Sequence, residues 1–141
     1  MDSPFEYDPK TLKQLMAVNL LFQQLNKVLE GKSGLSLVQW LFMTTLADRP
    51  TASPLALAKA LKVTPGTLSQ TLERLQRRAY IISCNDPQDE RRKMLALSKP
   101  GKEALEKAEA LYNPVFKDVH LMTQEIERLR HYLDDLIGRE N

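Results

Sequence analysis

Two strand-like runs around a charged connection constrain the fold of this chain most strongly. The runs are residues 80–84 and 93–97, and the connection between them, residues 85–92, is eight residues long. Hairpin loops usually have about two to five residues, so we expect this one to project from a two-stranded sheet. Because Arg91 and Arg92 lie near its end, the loop is suited to placing cations in a phosphate-lined groove.

Two helix starts in quick succession precede this hairpin. The pairs at 53–54 and 64–65 each combine a serine or threonine N-cap with proline at the first helical position. We expect one helix over residues 54–61 and the next over residues 64–78, with a tight turn at 62–63. Two helices joined by so short a turn form a candidate helix-turn-helix.

The second of these helices carries candidate DNA-contacting residues. At about 100° per residue, Leu68, Leu72 and Leu75 share one face, and polar side chains point the other way. A recognition helix contacts bases mainly through its N-terminal residues, and arginines further along suit backbone phosphates. Taken alone, the pattern is also that of an ordinary amphipathic helix with a solvated face. The candidates are Thr64, Pro65, Gly66, Thr67, Ser69, Gln70, Arg74 and Arg77.

The distribution of charge is a modest indication of a nucleic-acid partner. Residues 62–93 carry seven basic and four acidic side chains, whereas both ends of the chain are mildly acidic. No apolar run approaches the roughly 18 residues of a membrane span, and residues 1–4 do not resemble a secretory signal. A single cysteine excludes an internal disulfide. We therefore expect a cytoplasmic protein without a membrane partner.

Helices are also expected on both sides of this region. Apolar residues at helical spacing predict a helix over residues 9–29, ended by residues 31–34, and a second over residues 36–47, stopped by Arg49 and Pro50. The chain before the hairpin is thus predicted to be helical in its main segments.

After the hairpin, Ser98 is expected to cap a long helix that begins at Lys99. Pro114 is expected to kink or interrupt this helix near Tyr112. A last helix is expected over residues 123–138. The residues after the hairpin are thus predicted to form helices.

The hairpin segment also contains a specific sequence pattern. It runs Asp86-Pro87-x-Asp89-x-Arg91 and continues to Leu97-Ser98-x-x-Gly101. Supporting matches are Leu35-Ser36-x-x-Gln39-Trp40 and Thr67-Leu68-Ser69 through Leu75. With the order of the helices, these residues resemble the MarR family of bacterial transcriptional regulators over nearly the whole chain.

The resemblance implies a mainly α fold with a small β-hairpin wing, in which a winged helix-turn-helix lies between N- and C-terminal dimerisation helices. The corresponding regions are residues 1–34, 35–98 and 99–141 of one compact domain. It implies a homodimer that binds a pseudo-palindromic operator in double-stranded DNA as a ligand-responsive repressor. A small aromatic or anionic effector is the further partner that this resemblance suggests, and the bacterial cytoplasm is the implied location.

In the wing, the resemblance assigns roles to Asp89 and Arg91, and the neighbouring Arg92 is a further candidate. Arg91 would enter the minor groove, and Asp89 would hold its guanidinium in place. This assignment is physically reasonable because a carboxylate can orient the planar fork of an arginine.

Several residues depart from the family pattern. Ala79 stands where a glycine usually follows the recognition helix, so a left-handed cap there would be strained. Ser83 and Glu90 stand where arginine is frequent, which makes the wing less cationic, and Gly66 is a poor helix former. These departures motivate a second hypothesis, a winged-helix protein-interaction module that has lost DNA binding.

Other candidate sites receive less support from the sequence. Cys84 is favoured as a plain strand residue, because thiolate activation needs a cationic or helix N-terminal neighbourhood. His120 and His131 lack the spacing of metal ligands, so we expect no metal and no cofactor. No motif places a catalytic triad, a carboxylate pair or a phosphate loop, and we do not expect an enzyme. Core packing is favoured over an effector pocket for Met16, Leu20, Phe22, Trp40, Phe42 and Met43.

Overall fold

The computed structural model describes residues 8–49 and 52–140. Helices dominate these residues, and two antiparallel strands form a hairpin. The expected mainly α fold with a small β-hairpin is therefore confirmed. In chain order, the elements are α1 (Pro9–Ser33), α2 (Leu37–Ala47), α3 (Pro54–Leu61), α4 (Pro65–Arg77), β1 (Ile81–Asp86), β2 (Asp89–Leu97), α5 (Lys99–Phe116), a 3₁₀ helix (Val119–Met122) and α6 (Thr123–Glu140).

Capping residues begin the helices where the sequence predicts. Asp8, Ser53 and Thr64 each precede a proline, and each side chain accepts a hydrogen bond from a backbone N–H of the first turn. Ser36 and Gln39 form a capping box at the start of α2, in which each side chain accepts from the other's backbone N–H. Because such caps contribute about 1 kcal/mol each, short local patterns are sufficient to place these helix starts.

Helix α1 ends within residues 31–34, the segment predicted to end it, and extends beyond residue 29, the last residue of the predicted helix. The helix continues past residue 29 to Ser33, and Gly34 closes it with a left-handed φ of 80° and a 2.8 Å bond from its N–H to the Glu30 carbonyl. The Asn26 side chain accepts a 2.8 Å hydrogen bond from the N–H of Leu37. A side chain of α1 therefore satisfies a backbone donor at the start of α2.

Helix α2 ends at Ala47, as predicted, with Asp48 as its cap. Pro50, one of the two residues expected to stop this helix, lies outside the described residues.

The helix-turn-helix is formed by α3 and α4. Lys62, at φ 55°, closes α3, and the described bounds of α3 are the predicted ones. Leu57 of α3 and Leu68 and Leu75 of α4 are buried. Helix α4 ends at Arg77, one residue before its predicted end, and Arg78 is its cap. Burial of the leucine face leaves the opposite, polar face of α4 in solvent.

The hairpin has a tighter turn than the sequence suggested. The predicted eight-residue loop over residues 85–92 is wrong, because β1 extends to Asp86 and β2 begins at Asp89, with Pro87 and Gln88 as the turn. Charged residues have low strand propensity, which is why the pattern favoured a loop.

A bulge reconciles the charged sequence with strand pairing. Asn85 pairs with Lys93, and the next residue, Asp86, pairs with Asp89, so residues 90–92 have no partners on β1. Such a bulge bends its strand and changes the direction of the side chains it carries. Arg91 and Arg92 are therefore part of a bulged strand and not of a long loop.

A third segment pairs with the hairpin at one residue. Ala52 donates to the Leu95 carbonyl at 3.0 Å and accepts from the Leu95 N–H at 2.8 Å. Both residues are buried. This bridge, which the sequence did not indicate, joins the segment before α3 to β2.

Helix α5 begins as predicted but is not interrupted. The Ser98 hydroxyl accepts a 3.0 Å hydrogen bond from the N–H of Gly101, which is an N-cap interaction. Of the two predicted alternatives near Tyr112, a kink or an interruption, the interruption is wrong, because α5 continues through Pro114 to Phe116. The missing proline N–H costs one helical hydrogen bond, and the helix ends two residues later.

The chain divides into two compact units, Met1–Glu109 and Ala110–Asn141. The second contains the end of α5, the 3₁₀ helix and α6, which ends two residues beyond the predicted Gly138. Among the described helices, none combines the length and apolar character needed to cross a membrane. The buried apolar residues of the first unit include Leu29, Leu35, Phe42, Met43, Leu46, Leu57, Leu75, Ile81, Leu95 and Leu97.

Candidate nucleic-acid interface

The first turns of α4 present small polar groups to solvent. Thr64, Pro65 and Gly66 are exposed, and so are Ser69 and Gln70. A Cβ atom built on Gly66 would meet no other atom within 4 Å. The backbone at this end of α4 is therefore open to close approach by a large partner, and its N-terminal amides add a positive helix end.

Two threonines are tied together at this helix start. The Thr64 hydroxyl accepts from the Thr67 N–H at 3.2 Å and donates to the Thr67 hydroxyl at 2.9 Å. Because the Thr64 proton is used in that bond, the Thr67 hydroxyl retains its own proton for another acceptor. Thr67 is therefore suited to donating to a phosphate or a base edge.

Both candidate phosphate-binding arginines of α4 are exposed. Arg77 forms an ion pair with Glu73, one turn earlier, in which both side chains are mostly exposed (74% and 60%). A pair of this kind contributes at most about 1 kcal/mol, so exchanging Glu73 for a phosphate costs little. The structure thus leaves Arg74 and Arg77 accessible to a polyanion.

A groove of about 210 Å³ lies between α1, α2 and α4. Gln70 and Arg74 line it, together with Asn26, Glu30 and Gln39. These two candidate DNA contacts thus also border a polar groove on the α1 side of the helix.

The aromatic and methionine residues considered for an effector pocket do not line the described cavities. Phe42 and Met43 are fully buried core residues, whereas Met16, Leu20 and Phe22 are exposed on α1. For Phe42 and Met43, the expectation of core packing is confirmed.

In the wing, Asp89 and Arg91 are brought together. Asp89 Oδ1 accepts from the Arg91 N–H at 3.1 Å and lies 3.5 Å from Arg91 Nε. The Arg91 side chain is 94% exposed, and Arg92 is also exposed. The carboxylate therefore contacts both the backbone and the guanidinium of Arg91, while the charged end of Arg91 remains in solvent.

The turn after α4 contains the left-handed residue that the sequence suggested. Ala79 has a φ of 59°. The N–H of Tyr80 bonds to the Leu75 carbonyl at 3.0 Å, and that of Ala79 bonds to Gln76 at 2.9 Å. This is a Schellman motif, in which the left-handed position favours glycine. An alanine there stores a small backbone strain.

Arg78 was missed by sequence reasoning. Its guanidinium donates to the carbonyl of Gly34, which lies 44 positions earlier in the chain. No local pattern indicates a contact over that separation, so the sequence offered no signal for it.

The cysteine and the two histidines have ordinary local partners. Cys84 is exposed on β1, and its thiol lies 3.6 Å from the Met94 carbonyl. His120 Nδ1 lies 2.9 Å from the Lys117 carbonyl. Across residues 8–49 and 52–140, no cluster of three or more His, Cys, Asp or Glu residues is placed to hold a metal ion.

A helix-turn-helix followed directly by an antiparallel hairpin defines a winged-helix protein. A model described as the MarR family matches residues 33–92, which include α2 to α4 and most of the hairpin. Over residues 33–92, which are less than half of the chain, the sequence is similar to the MarR family of transcriptional regulators.

Two curated proteins that are similar to this chain are also transcriptional regulators. The transcriptional regulator HosA of Escherichia coli O111:H- is 33% identical over 67 residues, which are 48% of this chain and 50% of HosA. The match therefore spans about half the length of HosA. The HTH-type transcriptional regulator SarZ of Staphylococcus epidermidis is 22% identical over 106 residues, covering 75% of this chain and 72% of SarZ. Both names denote regulators and not enzymes, in agreement with the sequence expectation.

Solved structures show the same fold. A MepR-like protein complexed with pseudoligands has a TM-score of 0.74 at 22% identity, with 94% of each chain covered. A mutant MarR from E. coli complexed with operator DNA has a TM-score of 0.64 at 18% identity, with 90% of this chain and 95% of that one covered.

Proposed function

We propose that this chain is a sequence-specific DNA-binding repressor that acts as a homodimer on a pseudo-palindromic operator. The observation that carries the proposal is the exposed first turn of α4 beside a hairpin whose bulge carries Arg91 and Arg92. An open helix N-terminus suits the major groove, and an exposed arginine on a hairpin suits the adjacent minor groove. The operator-bound MarR structure with the same fold supports the same conclusion.

The proposed contacts divide into two classes. We assign the exposed Ser69 and Gln70 to base edges, since a glutamine amide can pair with adenine and a serine hydroxyl can bond to a base or a phosphate. Arg74 and Arg77 are assigned to backbone phosphates, and Arg91 to the minor groove. Thr64, Pro65, Gly66 and Thr67 form the close-approach surface, with Asp89 and Arg92 completing the set on the wing.

Self-association is supported by exposed apolar residues on both flanking helices. On α1, Leu12, Met16 and Leu20 recur every fourth residue and are 47%, 71% and 55% exposed. Isolated exposed apolar residues are common, but a repeated stripe marks an interaction surface. Helix α6 carries a similar series, at Ile126, Leu129, Tyr132, Leu133 and Ile137. We assign both stripes to the homodimer, in which residues 1–34 and 99–141 are the dimerisation regions.

Regulation by a small aromatic or anionic effector would follow from geometry. Two recognition helices must lie about 34–36 Å apart to enter successive major grooves on one face of DNA. An effector that favours a different spacing lowers operator affinity by linkage. A regulator of this kind acts on the bacterial chromosome, which places the proposed function in the cytoplasm.

The test is fluorescence anisotropy with labelled duplexes from the promoter region of the chain's own gene, compared with shuffled duplexes. We expect at least ~100-fold preference for one promoter segment at near-physiological salt, which is modest for a specific DNA-binding protein. Equal affinity for promoter and shuffled DNA would contradict the proposal. Sedimentation of the free protein should show a dimer.

Arg91→Ala distinguishes this function from a winged-helix protein-interaction module. A DNA-binding wing should lose affinity and about one unit of the slope of log K against log salt. Arg139→Ala, an equal charge change at an exposed position on α6, is the matched control. If both variants bind promoter DNA equally well, the interaction module becomes the better description.

A further inference from the structure

Arg78 joins the end of α4 to the end of α1. Its Nη1 donates to the Gly34 carbonyl at 2.5 Å, and its Nη2 donates to the Tyr80 hydroxyl at 3.1 Å. Its Cζ lies 4.5 Å from the centre of the Tyr80 ring, a cation–π distance. One guanidinium thus contacts the cap of α1 and the residue that leads into β1.

The electrostatics of this link are favourable for a physical reason. Gly34 is the C-terminal cap of α1, and Arg78 is itself the C-terminal cap of α4. Helix C-termini carry partial negative charge, so a cation near one of them is stabilised. Here the same cation lies at two helix ends. Its planar fork makes the two hydrogen bonds in different directions, which a lysine ammonium on a single flexible stem does less well.

The same turn is also held by the start of α5. The Ala79 carbonyl accepts from the Ser98 hydroxyl, and the Tyr80 carbonyl accepts from the Ser98 N–H at 3.0 Å. Residues 78–80 are therefore tied to α1 through a side chain and to α5 through Ser98. Of these ties, the one to α1 depends on a single side chain.

We infer that Arg78 is a positioning residue that sets the orientation of the recognition helix α4 relative to α1. The consequence for DNA rests on the proposed function: if α1 contributes to the dimer, Arg78 also sets the spacing of the two recognition helices. Arg78 then acts through geometry and not as a phosphate ligand, because one donor of Nη1 is directed to Gly34 and one donor of Nη2 to Tyr80.

A distance measurement tests the geometric part without DNA. Spin labels are placed at Lys27→Cys on α1 and Gln70→Cys on α4, both exposed positions, in a Cys84→Ser background. Dilution with unlabelled protein isolates distances within one protomer. Adding Arg78→Ala should broaden or shift the distance distribution, whereas Arg77→Ala, the adjacent control, should leave it unchanged. An unchanged distribution in the Arg78 variant overturns the inference.

A binding measurement tests the functional part. Arg78→Lys keeps the charge but loses the fork, so we expect the ratio of operator to shuffled-DNA affinity to fall roughly three- to tenfold with an unchanged salt slope. Arg49→Lys, the same substitution at an exposed position outside the proposed DNA contacts, should retain the ratio. Wild-type discrimination in Arg78→Lys, with loss of affinity and salt slope in Arg78→Ala, would identify a phosphate contact and overturn the positioning role. If the wild-type protein shows no operator preference, the proposed function fails, while the distance measurement still decides the role of Arg78 in the fold.

Discussion

A Cβ atom on residue 101 would lie 2.2 Å from the carbonyl oxygen of Tyr80. That carbonyl accepts a hydrogen bond from the Ser98 N–H, and the Ser98 hydroxyl caps the N–H of Gly101. The Leu-Ser-x-x-Gly motif therefore has a structural cause. Its serine begins α5, and its glycine permits α5 to pack directly against the turn after the recognition helix.

Gly101→Ala should accordingly destabilise the protein. The nearest atoms to the new methyl group belong to the Tyr80 backbone, so the helix or the turn must move to relieve the clash. Overpacking of this kind costs about 1–3 kcal/mol, and we expect a value near the upper end in urea unfolding followed by circular dichroism.

Gly138→Ala is the matched control for this substitution. Gly138 lies in α6, and a Cβ there would meet nothing within 4 Å. Replacing an unhindered helical glycine by alanine typically stabilises by up to about 1 kcal/mol. Opposite signs for the two substitutions are expected, and equal effects would show that the contact with Tyr80 is unimportant.

Ala79→Gly should stabilise the protein. Ala79 adopts φ 59° in the Schellman motif, where a Cβ is unfavourable. Glycine removes the left-handed strain of about 1 kcal/mol or more. The greater freedom of glycine in the unfolded chain offsets part of this gain, so we expect the free energy of unfolding to rise by about 0.5–1 kcal/mol. Ala110→Gly, at an exposed right-handed position in α5, should instead cost about 1 kcal/mol. Loss of stability in both variants would contradict the strain at Ala79.

Structural features that are determined by neighbouring residues could be predicted from the sequence. The starts of α3 and α4 agree with the structure because serine or threonine followed by proline satisfies helix donors within one turn. The resemblance to the MarR family indicated Ala79 as the place of a left-handed cap, and Ala79 has a left-handed φ of 59°. In each case the physical cause lies within about four residues of the predicted feature.

Features that depend on distant residues could not be predicted in this way. The strand over residues 89–92 contradicts local propensity and is accommodated through a bulge in the ladder. Ala52 pairs with Leu95 through a single β-bridge. Arg78 donates to Gly34, which is distant in the sequence. Hydrophobic periodicity and composition carry no information about contacts between residues that are far apart in the sequence.

Gly66→Ala should change stability and DNA affinity in opposite directions. The position is helical and open, so alanine should stabilise α4 by roughly 0.5 kcal/mol. If DNA approaches the backbone closely at this turn, the added methyl group should lower operator affinity several-fold. Thermal unfolding and anisotropy measure the two effects. Unchanged affinity with raised stability would place this turn outside the DNA contact.

Asp89→Asn and Asp89→Ala separate the two roles of the Asp89 side chain. Asparagine retains an oxygen that can accept from the Arg91 N–H, whereas alanine removes it. Both variants delete a negative charge from the wing and should bind shuffled DNA somewhat more tightly. We expect operator discrimination to survive in Asp89→Asn and to fall in Asp89→Ala. Equal discrimination in the two variants would mean that the turn does not position Arg91.

Glu90→Arg should make the wing a stronger but less selective DNA contact. Glu90 is exposed in the same bulge as Arg91 and Arg92, so its carboxylate opposes the field of both arginines. One additional phosphate contact steepens the salt dependence by about 0.9 in log K per log salt, and it does so for any sequence. The ratio of operator to shuffled-DNA affinity should therefore fall while both affinities rise at low salt. Glu106→Arg, with the same charge change on the exposed surface of α5, controls for net charge. If Glu106→Arg steepens the salt dependence of binding as much as Glu90→Arg does, the change results from net charge and not from the position of residue 90 in the wing.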